Sequence, residues 1–267
     1  MMIFLHTPKT GGTTFQFILE NSFGIYHCHL GQMGKVVADQ RDIAFTRKLF
    51  PWLRSIAGQN LVDPPRLALP DPFYMVFMRE PVARVFSHYQ DTRLRCKINL
   101  TFEQMLRSDP VLENIQVKML AGERNLDKAK KFLERCDFVG LTEKYDLSLH
   151  LLEKLTPCKL NLNYHRKLAA KDNAVKKSLE GDSRLVELTK EYNRLDIELY
   201  DFAYREIFPK LCAKAGFRPT DKVSSFDKYS SQNKPGFLLH RLYNQTFFRN
   251  VCKVYKKRRA REAAAQR

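Results

Sequence analysis

Short apolar runs alternate along the chain with longer stretches in which apolar residues recur every three or four positions. Met2-Ile3-Phe4-Leu5 has the length and composition of a buried strand, and so do Phe73-Tyr74-Met75-Val76-Phe77-Met78 and Phe138-Val139-Gly140-Leu141. Ser55 to Gly58 is a further candidate, and Ile25 to His29 reads as an edge segment. Helical periodicity runs through Phe15, Phe17, Ile18 and Leu19, through residues 35–54 as far as Leu49, Phe50 and Trp52, and through residues 102–135, where Thr101 is a candidate cap. It returns from Asp146 to Leu155. Residues 156–181 are polar and basic, and predict a surface loop with a short helix. From Asp182 or Ser183, Leu185, Leu188, Tyr192, Leu195, Leu199 and Phe202 repeat at three and four spacing. That predicts one long helix to about Phe208, packed on its own domain rather than in an intermolecular coiled coil. Strands alternating with helices predict an α/β fold, a P-loop-like three-layer sandwich with a mainly parallel central sheet.

Past Arg218 the composition turns to Ser, Asp, Lys and Pro, and past Phe237 it becomes helical and amphipathic again, ending in Lys256-Lys257-Arg258-Arg259. The expected division is a main domain over 1–216, a linker over 217–236 and a basic amphipathic helix over 237–267. With 267 residues the chain buries a substantial core. Its net charge of +17 calls for a polyanionic partner or surface, and composition alone admits nucleic acid, acidic polysaccharide, anionic lipid and a phosphorylated cofactor. The six cysteines show no CxxC or zinc-ligand spacing, which predicts reduced thiols, no metal and a cytoplasmic setting. No basic segment followed by a cleavable apolar run opens the sequence, and no stretch reaches membrane-spanning length, so a soluble or membrane-peripheral protein is expected.

Two turns carry candidate chemistry. After the first strand comes Pro8-Lys9-Thr10-Gly11-Gly12-Thr13-Thr14, followed by a helical pattern. A strand, a glycine turn and a helix aim backbone N–H groups and a helix N-terminus at an anion, with Lys9 adding a point charge and the threonines adding donors. An ordinary capped turn has the same outline. The order is not that of a Walker A loop, since Lys9 precedes the glycines, and no Mg²⁺ aspartate follows a strand. Both points disfavour a P-loop nucleotide kinase. The second turn follows the strand ending at Met78: Arg79-Glu80-Pro81 leads into a helix on which Arg84 and His88 share a face, with Ser87 beside them. Arg79 and Ser87 suggest a second anion pocket; the plain alternative is Arg79 in a salt bridge with Glu80.

Together, the first turn, the segment from Arg79 to Ser87, and Phe138-Val139-Gly140-Leu141-Thr142-Glu143 resemble the PAPS-dependent sulfotransferases related to heparan sulfate 2-O-sulfotransferases. The likeness covers residues 1 to about 215. It implies that Lys9, Thr10, Gly11, Gly12, Thr13 and Thr14 hold the 5′-phosphosulfate of 3′-phosphoadenosine 5′-phosphosulfate (PAPS), with Lys9 neutralising the leaving phosphate. Arg79 and Ser87 would bind the 3′-phosphate. It also implies in-line sulfuryl transfer to a glycan acceptor without a metal. An acidic glycan matches the net charge, and Arg166-Lys167, Lys171 and Lys176-Lys177 could track it. Nucleic acid is disfavoured as a partner, and the basic C-terminal helix suits an anionic membrane surface on the cytoplasmic side.

One position departs from the family. Many relatives carry a Gly-His pair between the two cofactor turns, with the histidine as catalytic base. Here Gly58 is followed by Gln59, which can orient a hydroxyl but cannot take its proton. Either the base comes from elsewhere, with His29 and His27 as leading substitutes, or the chain is an impaired sulfotransferase-fold protein that binds through its basic surface. On an extended segment those two histidines point one way and Cys28 the other. His6 reads as a packed strand-end residue and His88 as a surface position on a helix.

Overall fold

A computed structural model describes residues 1–30, 37–63, 67, 69, 71–164, 174–227, 238–239 and 242–265. The apolar runs form one five-stranded sheet of β1 (Met2–Leu5), β2 (His27–His29), β3 (Ser55–Gly58), β4 (Phe73–Met78) and β5 (Phe138–Leu141). Their order is β2-β3-β1-β4-β5, and every pairing is parallel. All carboxyl ends therefore share one edge of the sheet. From β1 the chain passes to β2 and β3 on one side, whereas β4 is followed by β5 on the other. The crevice between the ends of β1 and β4 is the switch point at which open α/β sheets bind ligands. The fold is the α/β arrangement with a parallel central sheet that the sequence predicts.

Ile3 and Phe4 of β1 face opposite cores, as neighbours on a pleated strand buried on both faces do. Phe4 faces one core with Phe15, Ile18 and Leu19 of α1 (Gly12–Phe23), Phe77, Phe138 and the leucines of α7 (Tyr145–Leu155). Ile3 faces the other with Cys28, Ile56, Ile43 of α2 (Gln40–Leu49), Phe50, Phe248 and Cys252. A smaller cluster joins α3 (Pro81–Cys96) and α4 (Phe102–Ser108) to α8 (Ala174–Glu180) and α9 (Ser183–Tyr192) through Val85, Phe86, Phe102, Met105, Leu179 and Leu185. Thr101 caps α4 in a capping box with Gln104. Between these lie α5 (Ile115–Ala121) and α6 (Leu126–Arg135).

The long C-terminal helix predicted from the leucine spacing is broken. Asn193 ends α9 before α10 (Arg194–Phe202), and a π turn at Ala203–Ile207 precedes α11 (Phe208–Ala215). The Asn193 side chain donates to the carbonyls of Leu112 (2.8 Å) and Thr189 (3.1 Å) and accepts from the Asn114 N–H (3.0 Å). A short amide that satisfies backbone groups from another segment competes with helix continuation, and here the tertiary bonds prevail. Leu199 still enters the main core, so the seam packs within the domain.

The basic end is docked on α2. In α12 (Arg249–Ala265) the Tyr255 ring stacks on Phe45 at 3.9 Å between centroids, and its hydroxyl donates to Asp42. Arg259 pairs with Asp39 (2.6 Å) and Asp42 (2.7 Å). Asp39 is also the N-cap of α2. Of the expected linker, residues 217–227 are described; Phe226 packs against the core, and its N–H donates to Asp146. The six cysteines are free thiols. Among the described residues no helix is long and apolar enough to cross a membrane.

Candidate active site

The first turn folds into a cradle. β1 ends at Leu5, the chain turns through Lys9 (φ 67°) and Gly11 (φ 80°), and α1 begins at Gly12. Gly11 stands at the N-cap in the left-handed region, which glycine occupies without strain, and contributes no capping side chain. The first-turn N–H groups of a helix have no intrahelical acceptor, so this end faces the crevice as a positive pole. Gly12 has a second reason to be glycine, because a Cβ there would collide with the His6 imidazole. Thr10 is buried and donates to the Thr7 carbonyl at 2.9 Å, which holds the turn closed, while Thr13 is exposed.

The second turn is tied to the first. An Arg79 guanidinium N–H donates to the Lys9 carbonyl at 2.8 Å, joining the end of β4 to the end of β1. Gln116 clamps the Arg79 backbone from both sides, accepting from its N–H (3.0 Å) and donating to its carbonyl (2.9 Å). The Thr142 hydroxyl, just past β5, lies 2.9 Å from the Thr10 carbonyl and 3.0 Å from the Met78 carbonyl. Glu80 makes no hydrogen bond to Arg79. Its carboxylate caps α3 by accepting from the Val82 and Ala83 N–H groups. Glu143 accepts from the Glu80 N–H (3.0 Å) and from the Tyr200 hydroxyl (2.9 Å). Burial lowers the Arg79 pKa, with Glu143 and Glu80 opposing the shift.

The Lys9 ammonium reaches α3, where it pairs with Asp91 at 3.3 Å, one turn beyond Ser87. Burial lowers its pKa, and the Asp91 carboxylate offsets part of that fall. His88 is not on a solvated face as its sequence context suggested. It is half-buried and lies 3.1 Å from Asp109. Its pKa is lowered by burial, against the pull of Asp109.

On the other side of β1 the polar groups are arranged differently. The register pairs Phe4 and His29 with Ala57, which puts these three side chains in one row on one face of the sheet. His6 and Gln59 come directly after β1 and β3 at the carboxyl edge. His6 stacks on Phe4 at 5.6 Å and meets the His29 ring edge-on at 6.3 Å. Burial pulls the His6 pKa down to about 3, with His29 adding to the fall, and burial pulls that of His29 to about 4. Both are neutral at pH 7. Among the described residues, His6 Nδ1, Thr7 Oγ1, His29 Nε2 and Asn60 Oδ1 are buried with no hydrogen-bond partner. Gln59 is exposed.

The structure therefore brings Lys9, Thr10, Gly11, Gly12 and Arg79 into one bonded unit, with Ser87 on the neighbouring α3. It separates the two histidines proposed as substitute bases. His29 stands at the carboxyl end of β2. His27 stands at the amino end, fully buried, with Nδ1 3.0 Å from the Ser55 hydroxyl, and so lies at the wrong edge of the sheet for the crevice. Sequence reading missed Gln116 and Asp91. No motif marks Gln116; the i+4 spacing of Asp91 from Ser87 was the available signal. Arg166, Lys167 and Lys171 lie outside the described residues, and Lys176 and Lys177 are on α8. Among the described residues no group of three or more His, Cys, Asp or Glu could hold a metal ion.

Comparison with known proteins adds an independent line. A family model described as "Sulfotransferase family" matches residues 1–203. Heparan sulfate 2-O-sulfotransferase hst-2 of Caenorhabditis elegans is 26% identical over 100 residues, which are 33% of this chain and 31% of that protein. Heparan-sulfate 6-O-sulfotransferase 2 of Gallus gallus is 23% identical over an alignment of 268 positions, covering 76% of this chain and 66% of the relative. The chain thus spans about a third of one curated relative's length and just under two thirds of the other's.

Proposed function

The chain belongs to the sulfotransferase family, and from that premise we propose that it transfers a sulfuryl group from PAPS to a hydroxyl of a carbohydrate acceptor. The observation that carries the reading is the Arg79 to Lys9 carbonyl bond at 2.8 Å, which makes one preorganised unit of two anion-facing turns. A nucleotide with phosphate at both the 5′ and 3′ positions needs two such pockets; ATP needs only one. The residues present fit the donor: a left-handed turn at Lys9 and Gly11, an uncapped helix start and a half-buried lysine.

When bound, PAPS supplies the activated sulfuryl group. Lys9 and the first-turn N–H groups of α1 would neutralise charge on the leaving phosphate, as fixed donors do in phosphoryl transfer. Arg79 and Ser87 would hold the 3′-phosphate. His29 would take the acceptor's proton at Nε2, which has no partner among the described residues, and Gln59, exposed just past β3, would orient the hydroxyl. The acceptor is an acidic glycan, in keeping with the net charge of +17 and with what the two relatives are named for. One observation favours a second reading, a sulfotransferase-fold protein that binds without transferring: the position of the family's base holds Gln59, which cannot take a proton. The C-terminal segment leaves Leu239, Leu242, Phe247 and Val254 exposed beside Lys253, Lys257, Arg258 and Arg261, which supports docking to an anionic membrane from the cytoplasmic side.

Calorimetric titration with 3′-phosphoadenosine 5′-phosphate (PAP) beside ADP, on the wild type and Arg79→Ala, tests the donor site. Tight PAP binding, weak ADP binding and loss of that preference in the variant are expected. A folded wild type that ignores PAP overturns the reading. Sulfate transfer from labelled PAPS to heparan-type glycans then separates the active from the binding-only case.

A further inference from the structure

Lys9 is held at both ends. Its carbonyl accepts from the Arg79 guanidinium at 2.8 Å, and its ammonium pairs with Asp91 of α3 at 3.3 Å. A lysine has a long flexible stem, so a turn that fixes its backbone leaves the charge free to wander. Here Asp91 decides where that charge goes. Asp91 lies outside the segment from Arg79 to Ser87 that carries the family likeness, and neither turn calls for a carboxylate at its position.

The surroundings of the ammonium are unfavourable to it. The Lys9 side chain is only 19% exposed, and burial works against the charged form. Arg79, just past β4, and Arg95, on α3, work against it too. His88 on α3 is a further titratable neighbour; it is bonded to Asp109, and the Lys9 charge disfavours its cation. The opposing pull comes from Asp91, through its charge and its hydrogen bond. Arg95 reaches both oxygens of the same carboxylate, at 3.4 and 3.3 Å, from a mostly exposed position. An exposed pair of this kind contributes little, whereas a carboxylate beside a half-buried cation acts through a less polar medium. The ammonium has three N–H donors, so the bond to Asp91 leaves two for an anion.

Resting on the donor assignment above, we propose that Asp91 is a positioning residue for sulfuryl transfer, which holds the Lys9 ammonium in place and keeps it charged among neighbouring cations. Asp91 acts through Lys9 and touches neither donor nor acceptor. Its service is that a full positive charge stands ready for the leaving phosphate.

The first test needs no nucleotide. Competitive labelling of the full chain with acetic anhydride, followed across pH and read at the Lys9 peptide by mass spectrometry, reports the free amine. The alkaline plateau measures access to the nitrogen, and the midpoint measures its charge. Asp91→Asn, isosteric and at a partly exposed helical site, should move the midpoint down, so that Lys9 labels roughly three- to tenfold faster near neutral pH. Asp91→Glu should restore the wild-type midpoint. Arg95→Ala, which removes a like charge and leaves Asp91 to Lys9, should slow labelling. Calorimetry with PAP then carries the result to the site: Asp91→Asn should lose affinity as pH rises, at pH values where the wild type still holds it. In transfer assays kcat should fall with the KM for acceptor unmoved.

A folded Asp91→Asn whose Lys9 titrates with the wild-type midpoint overturns the proposal, whatever its stability, and so does a change confined to the plateau. If Asp91→Asn fails to fold, Arg95→Ala decides, and labelling that is unchanged or faster overturns it. A wild type that ignores PAP removes the donor assignment itself, an outcome to which the labelling of Lys9 is blind.

Discussion

The two halves of the sheet's carboxyl edge are built on opposite principles. Between β1 and β4 the polar groups of the two turns are spent on one another, with the buried Arg84 guanidinium of α3 the exception: Arg79 on the Lys9 carbonyl, Gln116 on both sides of Arg79, Thr142 bridging Thr10 and Met78. Between β1, β3 and β2 they are left over, with His6 Nδ1, Thr7 Oγ1, His29 Nε2 and Asn60 Oδ1 buried and unpartnered. Cross-linked loops keep their shape whether or not a ligand is present, whereas orphaned polar atoms gain their bonds only when something else brings donors or acceptors. On the proposed function, the contrast separates a preformed donor pocket from an acceptor side that its substrate would complete.

Lys9→Ala strikes the preformed half hardest. The expected loss in kcat is roughly 10²- to 10³-fold, with a smaller fall in PAP affinity, measured by sulfate transfer and calorimetry. Equal transfer rates in the two proteins would break the assignment of Lys9 to the leaving phosphate. On the other half, His29→Asn should lower kcat by about 10²-fold while leaving PAP binding within about twofold, and Gln59→His should raise kcat. An inert Gln59→His together with an active His29→Asn would move the base off this half.

Acid sharpens the comparison next, because only the β1–β3 half carries strongly depressed histidines. Their folded pKa values, about 3 for His6 and about 4 for His29, lie below the ordinary 6.5. The unfolded chain therefore binds more protons than the folded one between those values. Stability is complete above about pH 6.5 and falls as pH drops toward 4, at up to roughly 1.4 kcal/mol per pH unit for the buried His6. His6→Gln should flatten the Tm profile between pH 7 and 5, and an unchanged slope would show that the imidazole is not the titrating group.

Smaller effects belong to the ties. Thr142→Val removes two hydroxyl contacts, and about 1 kcal/mol of stability is expected to go with them, accompanied by a few-fold weakening of PAP binding. Arg259→Ala loosens α12 from α2. Because it pairs with the buried Asp42 as well as the half-exposed Asp39, its loss should cost about 1 to 3 kcal/mol and leave PAP affinity unaltered. A change in PAP affinity there would link the C-terminal helix to the donor pocket.

What the sequence determines here is local. Buried strands announce themselves as unbroken apolar runs, Thr101 as a cap and Pro81 as a helix start, because each depends on nearest neighbours and on backbone stereochemistry. The two candidate turns were legible for the same reason: glycines, a lysine and an arginine stood directly after strands. Long-range pairing is where that legibility ends. Leucine spacing continued past Asn193, and nothing nearby revealed that its amide would bond to Leu112 and Asn114. His27 and His29 looked equivalent until the parallel register set one at each end of β2. The bond between Arg79 and Lys9, the clamp of Gln116 and the pairing of Lys9 with Asp91 were likewise decided only by tertiary structure. Hydrogen bonds and unscreened charges act over a few ångströms of space, and residues that lie so close here are separated by tens of positions along the chain.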